Sequence, residues 1–171
     1  MHLLIDGYNL LYVGRSSATR SSSALERERD LLVRQLSAYR CSRPCDITVV
    51  FDGWQAGSVS EERDRVMGIE RVYSKLGEKA DDVIKRIVRE KGAGITVITS
   101  DREIATFAER MDVSVVSSAQ FKEKVELAIS MRQPGGKNEE DEEESGGRKK
   151  KGPSRRLSKK ERKAKAALKK L

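Results

Sequence analysis

Apolar residues come in short blocks set between charged stretches. Leu3 to Ile5, Ile47 to Phe51 and Ile95 to Thr99 are near-continuous apolar runs. That pattern predicts strands buried on both faces. Val113 to Val116 and Ile69 to Tyr73 predict two shorter strands. Between these runs the apolar spacing turns helical. Leu25, Leu32, Leu36 and Tyr39 share one face of a helix that starts near Ala24 and ends before Pro44. Ala80, Val83, Ile84, Ile87 and Val88 form a stripe within Glu78 to Lys91, and Gly92 suits the position past the helix end. Ile104, Phe107, Ala108 and Met111 predict another helix, and Phe121 to Met131 a closing one. Asn9 to Tyr12 reads as a helical turn. Arg15 to Ser23 reads as a loop, and Gly53 to Arg65 as a polar stretch carrying Trp54.

Strands alternating with helices predict an α/β fold with a mainly parallel sheet between two helical layers. Right-handed crossovers put the carboxyl ends of parallel strands on one edge, where such sheets bind ligands. Asp6, Asp52 and Asp101 each follow a strand and fall on that edge. Asp81 and Asp82 lie in the first turn of a helix that starts there. Asn9 adds an amide at the rim. Each acid also has an ordinary use, as a turn residue, a dipole partner or, in Ser100 to Glu103, part of a capping box. Their joint placement points further. Clustered carboxylates repel one another unless a cation lies among them. The hard cations that suit such oxygens are Mg²⁺ or Mn²⁺, and such ions cleave phosphodiesters by activating water.

Charge separates a domain from a tail. The net charge of +8 is uneven. Residues 1–133 hold 21 Lys/Arg and 20 Asp/Glu, whereas residues 134–171 hold 14 and 7. The expected organisation is a domain over 1–131, a Gly-rich and acidic linker over 132–147, and a basic, disordered tail over 148–171. Leu157 to Leu171 has the composition to become helical on a partner. No apolar run is long enough to span a bilayer and no signal peptide is evident, so a cytoplasmic protein is expected, with no membrane partner. Cys41, Cys45 and His2 are too few for an ordinary structural zinc site. Oligomeric state is left open.

Four stretches carry a family resemblance: Leu-Ile-Asp-Gly-Tyr-Asn (4–9), Val-Val-Phe-Asp-Gly (49–53), Lys-Ala-Asp-Asp-Val-Ile (79–84) and Val-Ile-Thr-Ser-Asp-Arg-Glu (97–103). They resemble the signature stretches of NYN-domain nucleases, in the YacP-like bacterial branch of the PIN-like superfamily. The resemblance covers residues 1 to about 131 and excludes the tail. It implies a PIN-like, Rossmann-like fold and a metal-dependent endoribonuclease linked to mRNA cleavage on the ribosome. By position, Asp6, Asp81 and Asp101 match the metal-binding acids and Asn9 the polar catalytic position. Asp52 and Asp82 are further candidates for the metal. Candidates for RNA contact are Lys79 and Arg102 beside the acids, and Arg148, Lys149, Lys150, Lys151, Arg155 and Arg156 in the tail. The alternative is a non-catalytic RNA- or ribosome-binding module on the same fold. A receiver domain is disfavoured because it needs an acid pair after the first strand, where this chain has one acid followed by Gly7, Tyr8 and Asn9, and a haloacid-dehalogenase-type phosphatase because Tyr8 occupies the place of its second Asp. A dinucleotide oxidoreductase lacks its glycine signature after the first strand.

Overall fold

The computed structural model describes residues 1–14, 22–53, 60–131 and 159–170. Its sheet has six strands in the order β3-β4-β2-β1-β5-β6. They are β1 (His2–Asp6), β2 (Asp46–Phe51), β3 (Glu62–Val66), β4 (Ile69–Tyr73), β5 (Ile95–Ile98) and β6 (Ser114–Val116). All neighbours are parallel except β3 and β4. The helices are α1 (Gly7–Leu11), α2 (Ser22–Ser42), α3 (Ala80–Lys91), α4 (Arg102–Arg110), α5 (Ser118–Ser130) and α6 (Lys159–Lys170).

Side chains of a strand alternate between faces, so β1 supplies two cores. Leu3 and Ile5 join Leu32, Val33, Leu36, Tyr39, Phe121 and Val125 on the side of α2 and α5. Leu4 joins Val83, Ile84, Ile87, Ile104 and Ala108 on the side of α3 and α4. β1 is therefore sealed on both faces, as its unbroken apolar run requires. From β1 the chain builds outward through β2 to β4, then crosses to β5 and β6 on the other side. The exits of β1 and β5 thus diverge, and a crevice opens between them, the usual ligand position in such sheets.

Two differences from the sequence reading have physical causes. The first is β3, which lies in the stretch read as polar and without structure. Its sequence, Glu-Arg-Asp-Arg-Val, is almost wholly exposed. It is an edge strand paired on one side only, so no apolar alternation marks it. Its hairpin with β4 turns through Met67 and Gly68, at φ 51° and 82°. Asn or Asp before Gly is the usual signal for such a turn, and methionine hides it.

The second is α6. Residues 159–170 are helical, and the surface they dock on belongs to the domain itself, beside β6. Ala167 is buried in the core on the α5 side and Leu168 packs against it. Lys163 donates to the Asp112 carbonyl at 2.8 Å and pairs with its carboxylate. The alanines and leucine that make the segment a good helix former also give it a face to bury.

Among the described residues, no helix is long and apolar enough to cross a membrane. Cys41 and Cys45 are free thiols.

Candidate active site

Asp6 ends β1 and caps α1. Its Oδ1 accepts the Asn9 amide at 3.0 Å and its Oδ2 accepts the Thr99 hydroxyl at 3.2 Å. It is 8% exposed. Burial raises its pKa to about 6, against the pull of those two hydrogen bonds, and the charges of Asp81 and Asp101 add to the rise.

Asp101 follows β5 and caps α4, its Oδ1 accepting the amides of Glu103 at 2.7 Å and Ile104 at 3.1 Å. Its own amide donates to the Thr99 hydroxyl at 3.0 Å. Thr99 therefore bridges Asp6 and Asp101, receiving from one residue and donating to the other. Asp52, after β2, caps α3 from outside that helix: its Oδ1 accepts the Ala80 amide at 2.6 Å. Lys79, at the N-cap position, makes no side-chain cap bond of its own. Asp81 then projects from the first turn. Its pKa is raised by partial burial and by Asp101, with Lys85 opposing. No hydrogen bond to its carboxylate occurs among the described residues.

Gly7 and Gly53 follow two of these acids, and neither is a positive-φ turn glycine. Space is the reason for them. A Cβ on Gly7 would lie 2.4 Å from the Phe51 ring, and one on Gly53 would lie 1.9 Å from the Ser74 carbonyl oxygen. The chain leaves each strand too close to its neighbour for a side chain.

Asp6, Asn9, Asp52, Asp81 and Asp101 all line one open cleft of about 610 Å³. Asn9 ties the cleft together. Its Oδ1 accepts the Ser100 amide and the Ser118 hydroxyl, both at 3.0 Å, so the amide oxygen offered by the sequence is already engaged. Asp82 and Lys79 are exposed and do not line the cleft. Arg102, also exposed, lines a neighbouring groove of about 500 Å³ that continues from Ser100 and Asp101 towards Lys163. Tyr8 and Tyr12 line the acid cleft as well. Sequence reasoning passed over them, although two tyrosines four residues apart on one helix face were visible. Trp54, Arg15, Arg20, the acidic run 139–144 and the tail cations Arg148, Lys149, Lys150, Lys151, Arg155 and Arg156 lie outside the described residues.

The donor set suits one kind of cation site. Among the described residues, no three Asp, Glu, His or Cys side chains form a ready metal cage. The acids instead share an open cleft, and most of them spend an oxygen on a backbone amide. That fits a hydrated ion which keeps several waters and takes one or two carboxylates, the habit of Mg²⁺. It does not fit a dehydrated all-protein cage. The raised pKa of Asp6 comes first from burial, with the charges of Asp81 and Asp101 adding to it.

The fold has solved relatives. The crystal structure of Rae1 (YacP) from Bacillus subtilis superposes with a TM-score of 0.59 at 22% identity, covering 77% of this chain and 76% of that one. A point variant of the same protein gives 0.63 at 22%, covering 76% and 77%. In sequence, protein YacP of Bacillus subtilis (strain 168) is 26% identical over 102 residues, which are 58% of this chain and 59% of the relative. The chain thus aligns with about three-fifths of that relative's length. The YacP-like NYN domain model matches residues 3–170, so the family match runs on through α6, beyond the limit near residue 131 read from the motifs. With a match of that extent, a PIN-like sheet and the acids on its carboxyl edge, the chain belongs to the YacP-like NYN family of nuclease-type domains.

Proposed function

We propose that this protein is a metal-dependent endoribonuclease that hydrolyses RNA phosphodiester bonds at the acid cleft, using Mg²⁺ or Mn²⁺. The observation that carries the reading is the meeting of Asp6, Asp81 and Asp101, from three separate elements, in one cleft. A bound divalent ion supplies charge stabilisation at the scissile phosphate and a more acidic water. The residues do the rest. Thr99 fixes the Asp6 carboxylate and, through the Asp101 amide, the start of α4. Asn9 holds Ser100 and the first turn of α5 in place, which keeps the rim rigid. Asp6 must shed its proton before it can serve as a ligand, and burial, with the charges of Asp81 and Asp101 adding to it, moves that loss up to about pH 6. The basic residues from Arg148 onward, with Arg102 near the rim, supply contacts to RNA phosphates. The resemblance to YacP-like NYN nucleases supports mRNA on the ribosome as the substrate.

One observation favours a second reading, a non-catalytic RNA- or ribosome-binding module. Asp6, Asp52 and Asp101 all accept backbone amides, so each has a purely structural use. Labelled RNA separates the two. The wild type should cut internally with Mg²⁺ or Mn²⁺ and leave RNA intact in EDTA, and Asp81→Asn should leave it intact throughout. Binding without cleavage under both ions would establish the module instead.

A further inference from the structure

Aromatic rings line part of the acid cleft. Tyr8 and Tyr12 stack with ring centroids 5.9 Å apart and planes at 10°. Behind them Tyr8 meets Phe51 edge-on at 5.5 Å, and Phe51 stacks on Tyr73 at 5.6 Å. The Arg29 guanidinium braces the array. Its carbon lies 5.5 Å from the Tyr8 centroid, 5.8 Å from Phe51 and 5.7 Å from Tyr73. Its Nε donates to the Tyr8 hydroxyl at 2.9 Å and a second nitrogen donates to the same oxygen. Phe51 is fully buried, and Tyr8 and Tyr73 pack against the core. Tyr12 is half-buried at the end of α1 and lines the cleft.

An acid-lined cleft repels the phosphates of RNA, so something uncharged must help seat the chain beside it. A nucleobase is flat and neutral, and stacks on tyrosine whatever its identity. Such a base must be free of its own stack, which duplex RNA does not offer. We infer that Tyr12, stacked on the Tyr8 ring that Arg29 braces, is a stacking platform for one unpaired base next to the scissile phosphate. This rests on the endoribonuclease reading for its substrate, and it makes Tyr12 a positioning residue with no part in proton or phosphoryl transfer.

The test is binding of a short single-stranded oligoribonucleotide by fluorescence anisotropy in EDTA, which withholds divalent ions and keeps the RNA whole. Tyr12→Ala should weaken binding roughly five- to hundred-fold, the range found for loss of one stacked base. Tyr12→Phe should bind as the wild type does, because a stack needs the ring and not the hydroxyl. Tyr12→Leu, which keeps apolar bulk, should behave like Tyr12→Ala. On the wild type, an oligonucleotide made abasic at successive positions should lose affinity at one of them. The same RNA as a duplex should not distinguish Tyr12→Ala from wild type. Equal affinities for wild type, Tyr12→Ala and Tyr12→Leu, with no sensitive abasic position, would overturn the platform and leave the nuclease reading standing. A wild type that neither binds nor cuts single-stranded RNA would overturn both.

Discussion

The Asp52 carboxylate accepts the backbone amide of Ala80 at 2.6 Å. A residue at the end of one strand thus caps a helix that begins 28 positions later, and that helix carries Asp81 into the cleft. The loss of such a cap costs about 0.5–2 kcal/mol. Asp52→Ala should therefore lower stability by about 1 kcal/mol and reduce cleavage by loosening Asp81. Asp52→Asn keeps an oxygen for the Ala80 amide and should restore most of the stability. Denaturant midpoints of the two variants check this, and equal midpoints would remove the capping role.

Asp6 makes stability depend on pH in an unusual direction. Its folded pKa of about 6 stands above the ordinary 3.8. The folded chain therefore holds a proton that the unfolded chain has lost, and stability falls as pH rises through that window. A shift of this size corresponds to roughly 3 kcal/mol at most. Asp6→Asn carries no such penalty. It should match the wild type near pH 4, exceed it by about 1–2 kcal/mol at pH 7 and cut no RNA. Urea unfolding at both pH values gives the readout, and parallel profiles would show that Asp6 is not the group responsible. Added Mg²⁺ should raise the wild-type midpoint at pH 7 and leave Asp6→Asn largely unmoved.

Gly53→Ala should be among the most damaging single-methyl changes in the chain. The new Cβ would stand 1.9 Å from the Ser74 carbonyl oxygen, a backbone atom that cannot swing aside. The Gly53 amide also donates to Ser74 Oγ at 3.0 Å, so parting the two segments breaks that bond. A loss of about 3 kcal/mol is expected. Gly94→Ala, where a Cβ meets nothing within 4 Å, is the control and should be neutral or slightly stabilising. Thermal melting of both proteins tests the contrast.

Removal of residues 132–171 should act on the fold as well as on RNA binding. It strips α6 from β6, uncovering the surface around Ala167 and Leu168. Burial on this scale is worth about 1–3 kcal/mol, so the melting temperature should drop. Ala167→Asp, in the full chain, should reproduce the drop while keeping the basic residues. If the basic run also contacts phosphates, truncation should flatten the salt dependence of RNA binding by about 0.7–0.9 log units per lost contact, and Ala167→Asp should not. A truncated protein that melts like the whole chain would show that α6 contributes nothing to stability.

Much of this was written in apolar periodicity. The buried runs at Leu3 to Ile5, Ile47 to Phe51 and Ile95 to Thr99 announce central strands, because a strand covered on both faces must be apolar throughout. The stripe from Ala80 to Val88 announces α3 just as plainly. β3 escaped since nothing covers it, and a strand held by one ladder of backbone bonds leaves no apolar mark. At the site, strand ends sufficed to place the acids on one edge. The partnerships within the cleft are a different matter. That Asn9 spends its oxygen on Ser100 and Ser118, or that Asp52 caps a helix other than its own, depends on three-dimensional neighbours distant in the chain. The tyrosines of α1 were hidden by ambiguity, since the same pair in another fold would be plain core.

The caps have a consequence for how such chains change over time. If the proposed cleavage were lost in a lineage, Asp6, Asp52 and Asp101 would still be held by selection for folding, because each satisfies backbone amides at an element's start. Asp81 has no such second duty among the described residues. Its charge is disfavoured by partial burial and by Asp101, and it would drift first. An intact row of the other three acids therefore says little about whether a descendant has the proposed activity, and the residue at position 81 is the one to read.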